Sequence, residues 1–285
     1  MSEKFGVYTL VEVLGEGDMG TTYRAQLPNQ EEFVALKILD KLDTSSDMKR
    51  GAAVEMIEFA ATLKHDRLQP VLAVLDSPDG NGRLGIVTRL SSVGSFGSLM
   101  AKGKNIAPKY ALKMIGQIAS GLQFLHDQEV AHGSLKPNNI LLDTEGNITL
   151  TDLSMAHLRE LGLIPREITE QHMLFMQPER EFHATPQIPG DIYSLAVLTY
   201  LLLNGSMPFH EPEPEARGVI PPGNLSIPLA AVLRRAMNPH LRLRYTTLNE
   251  YMLALKNATQ GNVDDETMKV FGGTGMLTLP PDSAE

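Results

Sequence analysis

The stretch His132-Gly-Ser-Leu-Lys-Pro-Asn-Asn139 leads into two short apolar runs, and residues 141–150 have the pattern of a β-hairpin. Asn139 precedes this hairpin, and Asp152 follows it thirteen positions later. A two-stranded hairpin brings its ends together, so the oxygens of both side chains can reach one hard cation. Mg²⁺ uses one or two such ligands together with nucleotide phosphates. Asn and Asp also form Asx turns at strand ends, so the pair alone leaves both interpretations open.

A glycine-rich segment, Gly15-Glu-Gly-Asp-Met-Gly20, fits the pattern G-x-G-x-x-G. The same pattern opens dinucleotide-binding folds, in which a helix begins at the last glycine. Here the strand-like sequence Thr21-Thr-Tyr-Arg24 follows instead. This continuation favours a glycine-rich flap over phosphates, although glycines are also common in ordinary turns.

Lys37 lies on the next predicted strand, in the sequence Val34-Ala-Leu-Lys-Ile38. Val34, Leu36 and Ile38 alternate and should bury one face of the strand. Ala35 and Lys37 share the other face, where the small alanine leaves room for a flat ring. An ammonium group at that position can bind phosphate oxygens, whereas a lone lysine on an edge strand is more often only a surface residue.

Composition limits the possible functions of this 285-residue chain. A net charge of −9 argues against a protein that binds nucleic-acid backbones, because such binding needs a basic face. The absence of cysteine excludes disulfides, thiol nucleophiles and cysteine-based zinc sites. No apolar run approaches the roughly 20 residues of a membrane span, and the first residues do not resemble a signal peptide. We therefore expect a cytoplasmic protein, although the chain can equally be one domain of a longer receptor.

The periodicity of apolar residues divides the chain into three parts. Residues 1–90 are mainly strand-like with one helix, residues 91–259 are mainly helical, and residues 260–285 form an acidic tail that should be flexible. The helices are predicted at 49–64, 108–126, 191–204, 229–237 and 248–256.

Taken together and in order, these motifs resemble the protein kinase superfamily, most closely the bacterial serine/threonine kinases. The likeness extends from Tyr8 to Asn257. It includes the glycine-rich segment, Val-Ala-Leu-Lys37, the stretch 132–139, Thr151-Asp-Leu-Ser, Gln177-Pro-Glu179 and Asp191-Ile-Tyr-Ser-Leu. The resemblance implies an α+β fold with two lobes, a small β-rich N-lobe with one main helix and a larger helical C-lobe.

The resemblance also implies a site for ATP and Mg²⁺. Asn139 and Asp152 would carry the metal, and Lys136 would steady the transferred phosphate. Thr88 would stand at the back of the adenine site, and Glu179 would pair with Arg244 in preference to Arg242. The implied nucleotide-binding residues are Gly15, Gly17, Gly20, Thr22, Ala35, Lys37, Arg89, Ser91 and Leu141.

Several positions depart from the family pattern, which has H-R-D-L-x-x-x-N where this chain has the stretch 132–139. Ser134 replaces the aspartate that accepts the proton of the substrate, and a serine hydroxyl is neutral at pH 7. Gly133 replaces the arginine that pairs with an activation-segment phosphate. His172 lies where the family keeps a threonine. Leu153 and Ser154 replace the last two residues of D-F-G.

The helix glutamate that pairs with the strand lysine is also in question. Counting back from His65 leads to Met56, whereas Glu55 and Glu58 are out of register. One additional residue in the helix would restore Glu55 to this role.

These departures predict a catalytically impaired kinase, a pseudokinase that retains an ATP and Mg²⁺ site and acts as a signalling scaffold or regulatory module. Its partner would be a protein, either an active kinase or a phosphothreonine-reading domain of the forkhead-associated type that binds a modified Thr267. An acidic sequence such as the one around Thr267 is more often only a solvated linker. The alternative is a weakly active serine/threonine kinase, because general-base catalysis contributes only about 10² to 10⁴ in rate.

Overall fold

Antiparallel strands dominate the first part of the computed structural model, which describes residues 3–77, 82–103, 106, 108–165, 169–179, 185–211, 217 and 223–259. Six of these strands form one sheet in the order β1-β2-β3-β4-β6-β5. The strands are β1 (Lys4–Phe5), β2 (Tyr8–Gly17), β3 (Gly20–Gln26), β4 (Phe33–Ile38), β5 (Val71–Asp76) and β6 (Leu84–Arg89).

Strand β4 alternates as the sequence predicts. Leu36 and Ile38 are buried, and Val34 packs against the same apolar cluster. Lys37 points to the other face and lies opposite Thr22 of β3 and Ile86 of β6. The sheet therefore fixes the lysine beside the residues that surround the cleft described below.

Helix α1 (Asp47–Thr62) begins two residues before the predicted start. The hydroxyl of Ser46 accepts a hydrogen bond from the backbone N–H of Lys49, which caps the first turn. The most buried positions of α1 are Ala53, Ile57 and Ala60. These residues form the face that the helix presents to the sheet and to the rest of the molecule.

Helices and a small second sheet form the remainder of the described chain. The elements are β7 (Gly94–Ser95), α2 (Phe96–Ala101), α3 (Pro108–Asp127), β8 (Ile140–Leu142), β9 (Ile148–Leu150), α4 (Met155–Glu160), α5 (Glu170–Met173), α6 (Ile188–Asn204), α7 (Ile227–Ala236) and α8 (Leu248–Thr259). All five predicted helices are present, and their ends lie close to the predicted positions. The turns Pro137–Asn139 and Leu241–Leu243 are 3₁₀ helices.

Helix α6 lies at the centre of the helical part. It is buried on nearly all sides, as its continuous apolar sequence predicts, and it ends at Gly205 with a left-handed φ of 76°. Helices α3, α7 and α8 pack around it. The hydroxyl of buried Tyr251 on α8 donates to Thr199 Oγ1 on α6 at 3.1 Å, so the polar groups between these helices are also paired.

Some predictions concern residues outside the described ranges. The acidic tail 260–285, which includes Thr267, belongs to this group. The domain limits at residues 90 and 259 stay predictions. Within the described ranges, no helix combines the length and the apolar character that crossing a membrane requires.

Candidate active site

The hairpin β8–β9 brings Asn139 and Asp152 to the same end, as predicted. Its strands pair Ile140 with Leu150, and the backbone N–H of Thr151 donates to the carbonyl of Asn139 at 3.0 Å. Asn139 is buried and donates from Nδ2 to the backbone carbonyl of Ser134 at 2.8 Å. The amide nitrogen is thus occupied, and the amide oxygen is the group that remains for a ligand.

Lys37 forms an ion pair with Asp152, at 2.6 Å between Nζ and Oδ2. Asp152 has a φ of 66°, in the left-handed region that non-glycine residues rarely adopt. Burial acts to raise the pKa of Asp152, but the charge and the hydrogen bond of Lys37 outweigh it and hold that pKa below its usual value. The carboxylate is therefore ionised at neutral pH and held at the base of the cleft.

No glutamate of α1 is paired with Lys37. Glu55 and Glu58 are both exposed, whereas Ile57 and Ala60 of the same helix line the cleft. The possibility that Glu55 is restored to the pairing position is therefore wrong for this structure. The rotation of α1 decides this result, since the apolar face that includes Ile57 packs against Met155 and Leu158 of α4.

Asp191 binds the backbone of the stretch 132–139, which corresponds to the catalytic loop of the family pattern. Its buried carboxylate accepts hydrogen bonds from the backbone N–H groups of His132 and Gly133, each at 2.8 Å, and it lies 2.9 Å from His126 Nε2. Burial acts to raise the pKa of Asp191, but the hydrogen bond and charge of His126, with the His132 charge and the Gly133 N–H, hold it below its usual value. This contact fixes the position of the segment that carries Ser134.

The backbone at Gly133 explains why a glycine follows His132. Gly133 has a φ of 67°, and a Cβ atom there would lie 2.7 Å from the Ala156 Cβ and 2.8 Å from the Pro186 Cβ. Both the backbone conformation and the space therefore exclude a side chain in this structure. The packing around Gly133 therefore leaves no room for the arginine that the family pattern has at this position.

Ser134 lies beside a histidine that is itself held by an aspartate. The Oγ of Ser134 is 3.4 Å from Nε2 of His172, and Nδ1 of His172 is 2.6 Å from Oδ2 of Asp18. The same Asp18 oxygen accepts from Lys136 Nζ at 3.0 Å. Asp18 belongs to the glycine-rich segment, so this contact ties the flap to the catalytic loop and to α5.

The charges of this cluster follow from burial and pairing. Burial, together with the Lys136 charge, lowers the pKa of His172 to about 4, against the opposing hydrogen bond to Asp18. Burial acts to raise the pKa of Asp18, but His172 and Lys136 hold it well below its usual range. At pH 7 a neutral His172 therefore donates its Nδ1–H to an ionised Asp18. The lone pair on Nε2 then faces Ser134.

One cleft of about 670 Å³ is lined by every residue that the sequence nominated for nucleotide, metal or phosphate binding. Thr88 also lines it. At the adenine end, the carbonyl of Arg89 already accepts a hydrogen bond from Gln69 Nε2 at 2.5 Å, and the Ser91 hydroxyl accepts from the backbone N–H of Gly94 at 3.0 Å. The individual roles of these residues stay predictions. Their convergence on one cleft is a property of the fold.

Sequence reasoning did not single out Asp18, Arg159 or Gln69, although all three line the cleft. An acidic residue between the glycines of a phosphate-binding segment was the one available signal for Asp18. No local pattern marks Arg159 or Gln69, because their contacts depend on the packing of distant segments.

The pair Glu179–Arg244 forms as predicted. Arg244 Nη1 and Nη2 bind the two carboxylate oxygens of Glu179, each at 2.6 Å, in a bidentate arrangement. The Arg244 side chain is fully buried and also lies over the ring of Tyr193. This pair joins the segment before α6 to the segment before α8.

A model of the protein kinase domain matches residues 8–223. The chain belongs to the protein kinase family. It is 27% identical to the serine/threonine-protein kinase PknE of Mycobacterium tuberculosis strain H37Rv over 97% of this chain and 50% of that protein. It is 28% identical to PknJ of the same strain over 92% of this chain and 47% of that protein. The chain thus spans about half the length of these curated relatives.

The structural comparison confirms the predicted fold class. The crystal structure of the Mycobacterium tuberculosis PknI kinase domain superposes with a TM-score of 0.68 at 23% identity, over 90% of this chain and 98% of that chain. A point mutant of the same PknI domain superposes with a TM-score of 0.71 at 22% identity, over the same shares of the two chains. The β-rich N-lobe and the helical C-lobe are therefore those of a protein kinase, with an α+β fold.

Members of the protein kinase domain family generally bind ATP and Mg²⁺, and the oxygens at the hairpin end suit this hard cation. Asp152 contributes a carboxylate, and Asn139 has its amide oxygen left after its amide nitrogen binds Ser134. In the described part of the chain, no group of three or more His, Cys, Asp and Glu residues could hold a metal by itself. The donor set fits a Mg²⁺ ion that completes its coordination with phosphates and water.

Proposed function

We propose that the chain is a catalytically impaired protein kinase that binds ATP with Mg²⁺ and acts as a signalling scaffold or regulatory module. One observation carries the proposal. The cleft keeps Lys37, Asn139 and Asp152 together. In the stretch 132–139, however, the uncharged Ser134 stands where the family pattern has the proton-accepting aspartate. A neutral hydroxyl does not accept the proton of an alcohol as a carboxylate does.

The residues of the cleft support nucleotide binding in distinct ways. Lys37 would hold phosphate oxygens once its contact with Asp152 is exchanged, and Asp152 and Asn139 would hold the metal. The bound Mg²⁺ would neutralise phosphate charge. Thr22, Ala35 and Leu141 would enclose the adenine ring, with the backbone of Arg89 and Ser91 at its edge.

Calorimetric titration tests the binding half of the proposal. The wild-type chain should bind ATP only in the presence of Mg²⁺, and saturation at about 100 times Kd should stabilise it by about 2.7 kcal/mol. Asp152→Asn should weaken this binding, while the exposed-residue variant Glu58→Gln should bind as the wild type does. If wild type and Glu58→Gln show no Mg²⁺-dependent binding, the nucleotide part of the proposal is wrong.

Phosphate incorporation tests the other half. Active kinases transfer phosphate at about 1 to 100 per second, and the loss of a general base lowers such rates by about 10² to 10⁴. We therefore expect radiolabel transfer to a panel of protein substrates well below 1 per second. Transfer at the ordinary rate that disappears in Asp152→Asn would refute the proposed impairment.

A second candidate function, a slow serine/threonine kinase, is supported by the position of His172. Its Nε2 lone pair faces Ser134 at 3.4 Å, and Asp18 holds the opposite nitrogen. The proton of an acceptor alcohol would pass to Nε2 as the alcohol oxygen bonds to the γ-phosphorus of ATP and the bond from that phosphorus to the β–γ bridging oxygen breaks, which releases ADP. Any residual transfer should then fall at least tenfold in His172→Ala and stay unchanged in His240→Ala, which alters an exposed histidine. Equal transfer by both variants would exclude this role of His172.

The protein partner is also a proposal. An active kinase, or a forkhead-associated domain that binds phosphorylated Thr267, fits a module of this kind. Thr267 lies outside the described residues, so this part depends on the acidic sequence around it. Mass spectrometry of the chain isolated from its host tests it, because a Thr267 that is never phosphorylated excludes that recognition.

A further inference from the structure

Asp18 occupies an anion site inside the cleft. Its carboxylate lies 3.0 Å from the Lys136 ammonium and 2.6 Å from the imidazole Nδ1 of His172. Arg159 lines the same cleft, and its charge acts on both Asp18 and His172. Two hydrogen-bond donors, the charged Lys136 and the neutral His172, and a nearby guanidinium thus surround one carboxylate. The Asp18 side chain is 5% exposed, although residues 15–17 of the same glycine-rich flap are exposed.

The chemistry of this site is that of a phosphate subsite. A lysine ammonium, an N–H donor and a nearby guanidinium bind a phosphate group as well as a carboxylate, because all of them favour a compact anion. Lys136 and Asp152 line the same cleft, and each charge acts on the other. A nucleotide held between Lys37 and Asp152 would therefore direct its outer phosphates toward the group that Asp18 now pairs with.

We infer that Asp18 is an internal competitor for the terminal phosphate of a bound nucleotide, and that it determines the preference of the cleft among nucleotides. This inference rests on the proposed binding of nucleotide. A terminal phosphate can replace the Asp18 carboxylate beside Lys136 only when that carboxylate moves away. The two anions would repel each other if both lay within hydrogen-bond distance of the same ammonium group. An adenosine without phosphates does not meet this competition.

Nucleotide affinities of matched variants test the inference. Asp18→Asn keeps the shape of the side chain and removes its charge, whereas Glu58→Gln removes a charge from an exposed position of α1 that does not line the cleft. With Mg²⁺ present, Asp18→Asn should bind ATP about tenfold tighter than the wild type, since it relieves a like-charge contact. The affinity of Asp18→Asn for adenosine should stay within about twofold of the wild-type value, and Glu58→Gln should change neither affinity. ADP should show a smaller gain than ATP.

A second substitution checks the mechanism. Lys136→Met, introduced into Asp18→Asn, should remove most of the gain in ATP affinity and leave adenosine binding unchanged, because Lys136 is the cation that the first change releases. Thermal unfolding without nucleotide verifies that each variant is folded, and Asp18→Ser replaces Asp18→Asn if the latter is not.

Five results would overturn the inference. Asp18→Asn and Glu58→Gln could tighten ATP binding equally, which would indicate only an effect of overall charge. Asp18→Asn could raise the affinity for adenosine as much as the affinity for ATP, or it could lower the affinity for ATP. If the wild type binds ATP and Asp18→Asn shows no gain, only the role of Asp18 is wrong. If no variant binds any nucleotide at millimolar concentration, the proposed function is wrong as well.

Discussion

Replacing Gly133 by alanine should destabilise the chain far more than the same replacement at Gly162. The two glycines have nearly equal φ values, 67° and 68°. An alanine in this left-handed region costs about 1 kcal/mol at either position. At Gly162 no atom lies within 4 Å of the added Cβ, whereas at Gly133 it would meet Ala156 and Pro186 at 2.7 and 2.8 Å. Overpacking of this kind adds about 1 to 3 kcal/mol.

Urea unfolding of the two variants measures this difference directly. Gly162→Ala should lose about 1 kcal/mol, and Gly133→Ala about 2 to 4 kcal/mol, since only Gly133 combines the backbone cost with the contacts. Each kcal/mol corresponds to about 2 to 4 °C in Tm for a domain near this size. Equal losses in the two variants would refute the argument that the site at Gly133 has no room for a side chain.

Two further substitutions test the buried carboxylate contacts that hold the segments around the candidate active site. Glu179→Ala leaves the fully buried Arg244 without its partner, so it should cost about 3 kcal/mol in urea unfolding, and a loss below 1 kcal/mol would contradict the importance of this pair. Asp191→Asn should also destabilise the chain at pH 7. Because the folded pKa of Asp191 is below its unfolded value near 3.9, its stabilisation is present above that pH and is lost as the pH falls toward the folded pKa. The stability difference between wild type and Asp191→Asn should therefore shrink below about pH 4, and a constant difference would exclude this linkage.

Much of the cleft was predictable because the pairing of neighbouring strands places residues with a given spacing in the sequence side by side in the sheet. Lys37 and Thr22 lie fifteen residues apart on consecutive strands, and the β3–β4 register places them opposite each other. The hairpin β8–β9 likewise carries Asn139 and Asp152 to one end. Local alternation and short turns determine these arrangements, so the sequence contains the information that fixes them.

The contacts that escaped prediction depend on packing between distant segments. Asp18 and His172 are 154 residues apart in the chain, and no local pattern joins them. The orientation of α1 is another case, because the counting rule that left Glu55 open cannot include the apolar contacts of Ile57 with α4. Burial of that apolar face stabilises a rotation that leaves Glu55 in solvent.

The cations of the cleft link these findings to function. Lys37 is paired with Asp152, and Lys136 is paired with Asp18, so carboxylates of the chain occupy both lysines. Phosphates must replace these carboxylates in order to bind. Replacing one anion by another gains less binding free energy than placing an anion beside a cation that has no anionic partner. With Asp152 as the proposed ligand of a divalent cation, this balance would change, because Lys37 would then be left to bind the phosphates. Nucleotide and metal should therefore bind together, which is the behaviour that a nucleotide-gated regulatory module requires.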